Sequence, residues 1–224
     1  WIPMNKDFTL IDKQSALDLQ AYLNRAKRLD PEGLVRLRAF GNVLAAYVAP
    51  IFSGSFMDNG PTVLGLRTIE LSQDAEVDVL VQISSVLERL AKVIDAGASE
   101  FTIEVPPVTM RAAWAGISAP RSGWAQTGTI NETVLTQIAR DGIAEVADTL
   151  PASVGGPIAA RIRGEIWGRG IKEDVTIPTG AAFVAAGLGF MTENEEVGIF
   201  HADNWVRLST DFGHVLSRTA STVV

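Results

Sequence analysis

The sequence predicts an α+β fold, with antiparallel or mixed sheets, about four helices and two related βαββ-containing halves. Three observations point there. Short apolar runs with strand alternation are separated by turn residues, amphipathic stripes follow directly on four of those runs, and one series of motifs occurs twice in the same order. Hairpin signals dominate and each helix is placed to cover one sheet face, which argues against a doubly wound parallel sheet.

The first strand-to-helix transition starts at Asp7. Phe8-Thr9-Leu10-Ile11 leads into Asp12, a good N-cap, and Ala16, Leu19, Leu23 and Ala26 then recur at helical spacing. Lys27 and Arg28 suit the last turn, and Pro31 and Gly33 stop the helix. A second helix is expected over 83–95, with Val86, Leu87, Leu90, Val93 and Ile94 on one side and Gly97 as terminator. A third follows the run at Thr127, begins at Asn131 as N-cap and reaches Leu150 before Pro151. A fourth follows the run at Asp174 and is capped by Thr179; it is small and apolar nearly all round, which implies close burial.

Strands are expected at 34–40 and 43–51, on either side of the turn dipeptide Gly41-Asn42, and at 63–71, 161–171, 197–201, 204–208 and 214–218. Asp58-Asn59-Gly60-Pro61 marks a loop tip. The stretch from Pro106 to Thr129 is rich in Pro, Gly, Ser and Trp and reads as a long irregular connection. The organisation expected is therefore an N-terminal half over 1–105, a connecting loop over 106–128 and a C-terminal half over 129–224, together one compact unit.

The repeated series is Asp7-Phe8-Thr9-Leu10, a helix, Val35-Arg36-Leu37 and Phe40-Gly41-Asn42-Val43-Leu44. It returns as Asp174-Val175-Thr176-Ile177, a helix, Val206-Arg207-Leu208 and Phe212-Gly213-His214-Val215-Leu216. The offset drifts by a few residues, which loops absorb at small entropic cost. Asp78-Val79-Leu80-Val81 with its following helix is a partial third echo.

Composition excludes several chemistries. With 19 Lys and Arg against 26 Asp and Glu spread over the chain, no clustered cationic footprint for duplex nucleic acid or anionic lipid is expected, so nucleic acid is an unlikely partner and a membrane is not expected. With no cysteine, disulfides, thiolate zinc sites, iron–sulfur clusters and cysteine nucleophiles are out, and a reducing cytoplasm fits. The longest apolar runs, 43–52 and 181–191, are about half of the ~20 residues a spanning helix needs. The chain starts at Trp1 rather than Met, from which an incomplete, processed or vector-derived start is expected.

The segment Trp114-Ala115-Gly116-Ile117-Ser118-Ala119-Pro120-Arg121-Ser122-Gly123-Trp124, then Val175-Thr176-Ile177-Pro178-Thr179-Gly180-Ala181-Ala182-Phe183 and the closing Gly213-His214-Val215-Leu216, resembles a family of uncharacterised proteins from high-GC Gram-positive bacteria, the actinobacteria. The resemblance spans most of the chain. It implies a bacterial, cytoplasmic origin and carries no known activity.

Few residues offer chemistry. His201-Ala202-Asp203 with Ser209 or Ser217 has the residue types of a catalytic triad, but no G-x-S-x-G elbow accompanies them. Glu193-Asn194-Glu195-Glu196 with Asp203 lacks EF-hand spacing and reads as a solvated turn. Ser53-Gly54-Ser55-Phe56 and Val154-Gly155-Gly156-Pro157 lack the Walker lysine and the dinucleotide fingerprint, and read as turns. No cofactor and no metal are expected.

Two polar constellations stand out. Alternation along a strand at 161–171 would place Arg161, Arg163, Glu165, Trp167 and Arg169 on one face, a surface for an anionic ligand or equally an ion-paired exposed face. The connecting loop gathers Arg111, Trp114, Arg121 and Trp124, residue types enriched at interface hot spots, or tryptophans pinning the loop to the core. The expectation is a non-enzymatic binding protein that recognises a protein partner or a small anionic ligand. The rival is an enzyme, a hydrolase or transferase, working through carboxylates and arginines that no short motif reveals. A homo-oligomer is a further expectation, because the apolar strand at 43–52 must pair internally or with another copy.

Overall fold

The computed structural model describes residues 4–52 and 60–219, in two compact units. Unit 1 takes Trp1–Ala49 and Leu66–Gly116, and unit 2 takes Pro50–Gly65 and Ile117–Val224. The glycine turn at 53–56 and the Asp58-Asn59 part of the expected loop tip lie outside the described residues. The expected α+β class with two related halves is observed.

Unit 1 runs β1 (Asp7–Leu10), α1 (Lys13–Leu29), β2 (Leu34–Phe40), β3 (Val43–Ile51), β4 (Val63–Glu70), β5 (Val77–Gln82), α2 (Ile83–Asp95) and β6 (Phe101–Glu104). The end of β3 and the start of β4 fall in the stretch 50–65 that belongs to unit 2. β1 and β6 form an antiparallel pair with Phe8 opposite Ile103, and the remaining strands lie in the order β5-β2-β3-β4. The β3 strand thus has β2 on one side and β4 on the other, and needs no second copy to satisfy its ladder. Asp12 caps α1 by accepting from the Ser15 amide at 2.7 Å, as its position in the sequence predicts. Leu19, Tyr22, Leu23 and Ala26 of α1 are buried, and the Tyr22 hydroxyl donates to the Ala46 carbonyl of β3 at 2.9 Å. Burial pushes that phenol well above its ordinary pKa. Gly41 closes the β2–β3 turn at φ 59°, a left-handed conformation that glycine adopts without steric cost.

Unit 2 runs β7 (Ala125–Asn131), α3 (Glu132–Thr149), α4 (Gly156–Gly168), α5 (Thr179–Gly187), β8 (Glu196–Ala202), β9 (Trp205–Thr210) and β10 (Gly213–Arg218). Its strands lie antiparallel in the order β7-β8-β9-β10. Asn131 caps α3 through the Thr133 amide, and its amide nitrogen donates to Glu196 at the start of β8. α5 buries Gly180, Ala181, Ala182, Val184 and Ala185, as its small apolar composition requires.

Each unit holds a meander of three strands, β2-β3-β4 or β8-β9-β10, with an edge strand, β5 or β7, that leads directly into a helix. This strand order matches β2 with β8 and β3 with β9. The sequence echo, which sets β2-β3 against β9-β10, is one strand out of step with it.

Several expectations are corrected. Residues 161–171 are not a strand: α4 covers Gly156–Gly168, with Pro157 in its first turn, so five α-helices are present among the described residues. Arg161, Arg163, Glu165, Trp167 and Arg169 therefore do not share a face. Arg161 pairs with Glu165 one turn on, at 3.1 Å. Arg163 is exposed, and Arg169 follows the last helical residue and bonds Glu145 of α3. Trp167 is buried, stacks on Phe183 at 4.6 Å between centroids, and lies against Gly142. A Cβ at Gly142 would meet the indole ring at 2.4 Å, so this glycine admits α4 to α3. The run at Asp174 is a turn in which the carboxylate accepts from the amide and hydroxyl of Thr176. Thr179 opens α5 but donates its hydroxyl to the Arg169 carbonyl instead of capping. The stretch 106–128 is not wholly irregular, since it holds a 3₁₀ turn at Ala113–Gly116 and the first residues of β7.

Among the described residues no helix is long and apolar enough to cross a membrane. Trp167→Ala should cost about 3–5 kcal/mol of stability, as truncation of a buried tryptophan does. Denaturant unfolding followed by circular dichroism checks this, and a loss under about 1 kcal/mol would mean that the indole does not join the three helices.

Candidate functional site

The unit 2 sheet has one apolar face. Val197, Ile199, Val206, Leu208 and Val215 point to it and are buried. The pleat sends the alternate residues the other way. Phe200 of β8 stands opposite Arg207 of β9, and Ser209 of β9 opposite His214 of β10, so these four side chains share the second face.

There they form a cluster with Trp124. The Arg207 guanidinium carbon lies 4.4 Å from the Phe200 ring centroid and 4.8 Å from that of Trp124, within cation–π range of both. Trp124 is held over the strands by its indole N–H, which donates to the Pro120 carbonyl at 2.8 Å. Arg207 Nε donates to Ser209 Oγ at 2.8 Å, and Ser209 Oγ lies 2.9 Å from His214 Nδ1. The serine oxygen accepts from the arginine and shares a second hydrogen bond with the imidazole. Burial lowers the Arg207 pKa, although a guanidinium stays a cation at any working pH. At the far end of the same face Arg218 lies over Trp205, 5.8 Å from its centroid.

His201 serves a different purpose. β7 carries a bulge between Gln126 and Gly128, and the extra residue, Thr127, places its hydroxyl 2.8 Å from His201 Nδ1. His201 Nε2 lies 2.8 Å from Thr176 Oγ1, whose proton goes to Asp174. The imidazole thus ties two strands to the Asp174 turn. A triad needs a carboxylate on the histidine and a nucleophile beyond it, whereas here threonines occupy both ring nitrogens. The acidic run near Asn194 is likewise engaged in its turn: Glu195 accepts from the Thr192 amide, and Glu132 accepts from the Asn194 amide. Among the described residues no group of three or more His, Asp or Glu is arranged to hold a metal ion.

Of the binding residues singled out from the sequence, Trp124 alone enters the cluster, and Ser209, weighed there as a nucleophile, enters it as a hydrogen-bond partner of Arg207 and His214. Arg111 and Trp114 belong to unit 1, the first exposed and the second buried in the 3₁₀ turn, while Arg121 and Trp124 belong to unit 2, with Arg121 exposed. Phe200, Arg207, Ser209 and His214 were missed as a group. The alternation Trp205-Val206-Arg207-Leu208-Ser209 carried the signal for the β9 members.

Residues 4–116, which make up just over half of the chain, match the family model described as domain of unknown function DUF8010. The chain belongs to the DUF8010 family. Residues 119–222 match a second model, domain of unknown function DUF8185. The boundary between the two models falls where unit 1 gives way to the main part of unit 2. No curated protein matches this DUF8010 member.

Solved structures do match in fold. A Eubacterium rectale protein assigned as a DNA polymerase III beta subunit superposes with TM-score 0.57 at 11% identity, covering 98% of this chain and 66% of that one. The Borrelia burgdorferi DNA polymerase III beta subunit gives 0.55 at 9%, covering 97% and 65%, and Caulobacter crescentus pol III beta gives 0.52 at 12%, covering 97% and 66%. The DUF8010 chain therefore spans just under two thirds of the length of these proteins, and at such identities the likeness is one of fold.

The cluster makes a pH-dependent contribution to stability. Burial first, and the charge of Arg207 second, hold the His214 imidazole below its ordinary value of 6.5. The unfolded chain then binds a proton at this site more readily than the folded chain does. Stability is complete above the unfolded value and falls as the pH drops through it toward the lower folded one. His214→Gln should unfold with a smaller drop in melting temperature between about pH 7.5 and about pH 5.5 than the parent chain. Equal drops would mean that His214 takes up its proton as readily folded as unfolded.

Proposed function

We propose that this chain is a non-enzymatic interaction protein of the bacterial cytoplasm, a scaffold with a sliding-clamp-like fold that binds a protein partner through the Trp124–Arg207 face of unit 2. The observation that carries the reading is the cluster itself. Two aromatic rings and a guanidinium, the side-chain types most enriched at binding hot spots, lie half-buried on a rigid sheet face. The likeness to DNA polymerase III beta subunits supports a scaffold in preference to a catalyst. So does the absence, among the described residues, of a carboxylate on either histidine.

A second reading concerns nucleic acid. The expectation that it is an unlikely partner loses its support, because some of the chains of similar fold are DNA polymerase sliding clamps. In this chain α1 exposes Lys13, Arg25, Lys27 and Arg28, a local cationic face suited to phosphates. The helix α3 offers no such face, since Glu132, Asp141, Glu145 and Asp148 stand against Arg140 alone. Of the two helices, α1 is the one suited to a duplex contact.

Trp124→Ala and Arg207→Ala should each abolish recovery of partner proteins by the tagged chain from host-cell extract, with Arg163→Ala on exposed α4 as the unaffected control. Recovery of the same proteins by all variants would overturn the binding face. Salt-dependent duplex binding, weakened by Arg25→Ala and Arg28→Ala but not by the cluster variants, would move the reading to nucleic acid.

A further inference from the structure

Each unit sets an arginine opposite an aromatic ring across one strand pair. In unit 1, Arg36 of β2 stands opposite Tyr47 of β3; in unit 2, Phe200 of β8 stands opposite Arg207 of β9. Strand order matches β2 with β8 and β3 with β9, and the arginine stands on the first strand of the pair in unit 1 and on the second in unit 2, at different distances from the hairpin turn. The strand it occupies decides what each arginine can reach. Arg36 lies beside edge strand β5, and its Nε and Nη2 donate to the two oxygens of Asp78, each at 3.0 Å. Its remaining Nη1 donates to the Ala115 carbonyl at 2.8 Å. Each nitrogen of that guanidinium has an acceptor, and its charge is neutralised by Asp78.

Arg207 sits one strand further from the edge. The residues flanking it on its own face are Phe200 of β8, Leu216 of β10, and Trp205 and Ser209 of β9, and none is a carboxylate. Only Nε has an acceptor, the Ser209 hydroxyl, and among the described residues no group accepts from Nη1 or Nη2. The cation is partly desolvated and lies against two rings, and its Nη groups are left with N–H donors and no anion among the described residues. Arg218 repeats the arrangement over Trp205, again with no acid partner among the described residues.

We infer that the Arg207–Arg218 face takes the carboxylates of an extended acidic segment of a partner protein. The planar Nη edge of a guanidinium matches a carboxylate through parallel N–H···O bonds. Two such cations along one face, with aromatic floors between, suit a segment whose acidic side chains alternate with apolar ones better than a single small anion. The surrounding chain is itself acidic, at a formal charge of −7, which leaves this face as a local attractor in a repelling field. The inference rests on the binding reading above and names the partner's chemistry.

The test is titration of the full chain with a blocked peptide of alternating glutamate and leucine, its glutamine counterpart, and inorganic phosphate, followed by tryptophan emission and calorimetry. The acidic peptide should bind and perturb emission, with the perturbation reduced in Trp124→Phe to what Trp205 contributes. The glutamine peptide should bind at least about tenfold more weakly, and Arg207→Ala should bring the acidic peptide down to that level. Arg207→Lys, which keeps the charge and loses the planar edge, should fall between, and it decides the matter should Arg207→Ala not fold. Equal affinity of both peptides, equal affinity for parent and Arg207→Ala, or tighter binding of phosphate than of the acidic peptide would overturn the inference. If the peptide fails while partner recovery still depends on Trp124 and Arg207, the carboxylate assignment falls and the binding face stands. If recovery is independent of both residues, the binding face falls whatever the titration shows.

Discussion

The strand pleat is the constraint on which both the core and the cluster depend. In β2, Val35, Leu37 and Ala39 are buried while Arg36 and Arg38 point away, and in β9 Val206 and Leu208 are buried while Arg207 and Ser209 point away. A slip of one residue would carry every arginine of these strands into the apolar face, at the cost of burying unpaired charge. The positions of Arg207, Phe200 and His214 are thus fixed by the same hydrophobic pattern that packs the other side of the sheet. The cluster needs no loop to assemble it, apart from the Trp124 segment laid across it.

Much of the fold was legible in the residues. The helices α1, α2 and α3 announce themselves by stripe and punctuation, and the caps Asp12 and Asn131 act as their side chains predict. The β2–β3 turn is where Gly41-Asn42 places it. Failure at 161–171 has a physical reason. Arginines at 161, 163 and 169 satisfy a period of two, yet Ala159, Ile166 and Trp167 are the buried residues, and their spacing is helical. Charged residues make a poor guide to period because solvent tolerates them in either structure, whereas the apolar residues obey the core. The Gly155-Gly156-Pro157 run misleads for a related reason: the same residues that mark a turn also open a helix when proline sits in its first turn.

The cluster was less legible than the fold, and for a different reason. Alternation along β9 groups Trp205, Arg207 and Ser209, but it does not say which residue of β8 stands opposite Arg207. That depends on register, which follows from the length of the β8–β9 turn at Asp203 and Asn204, where Asp203 takes φ 51°. Trp124 was picked out for its loop setting, and its partner could not be, since the two are far apart in sequence and brought together only by pairing along β7, β8 and β9. The His201 contacts depend on a bulge in β7, a one-residue irregularity that composition does not reveal.

The repeat carries the deepest contrast. Both units set an arginine opposite an aromatic ring on the second face of the sheet. The arginine of unit 2 lies one strand further from the edge and lacks what the edge strand supplies in unit 1, namely the Asp78 carboxylate. In unit 1 the desolvated charge is offset within the unit, and that guanidinium works as a clamp on the Ala115 segment. In unit 2 the same desolvation is offset only by rings and one hydroxyl, so the free energy that an ion pair would supply is still available to an incoming acid. The same residue types thus give an internally neutralised guanidinium in unit 1 and one without a carboxylate partner in unit 2, and the proposed acid-binding face rests on that difference.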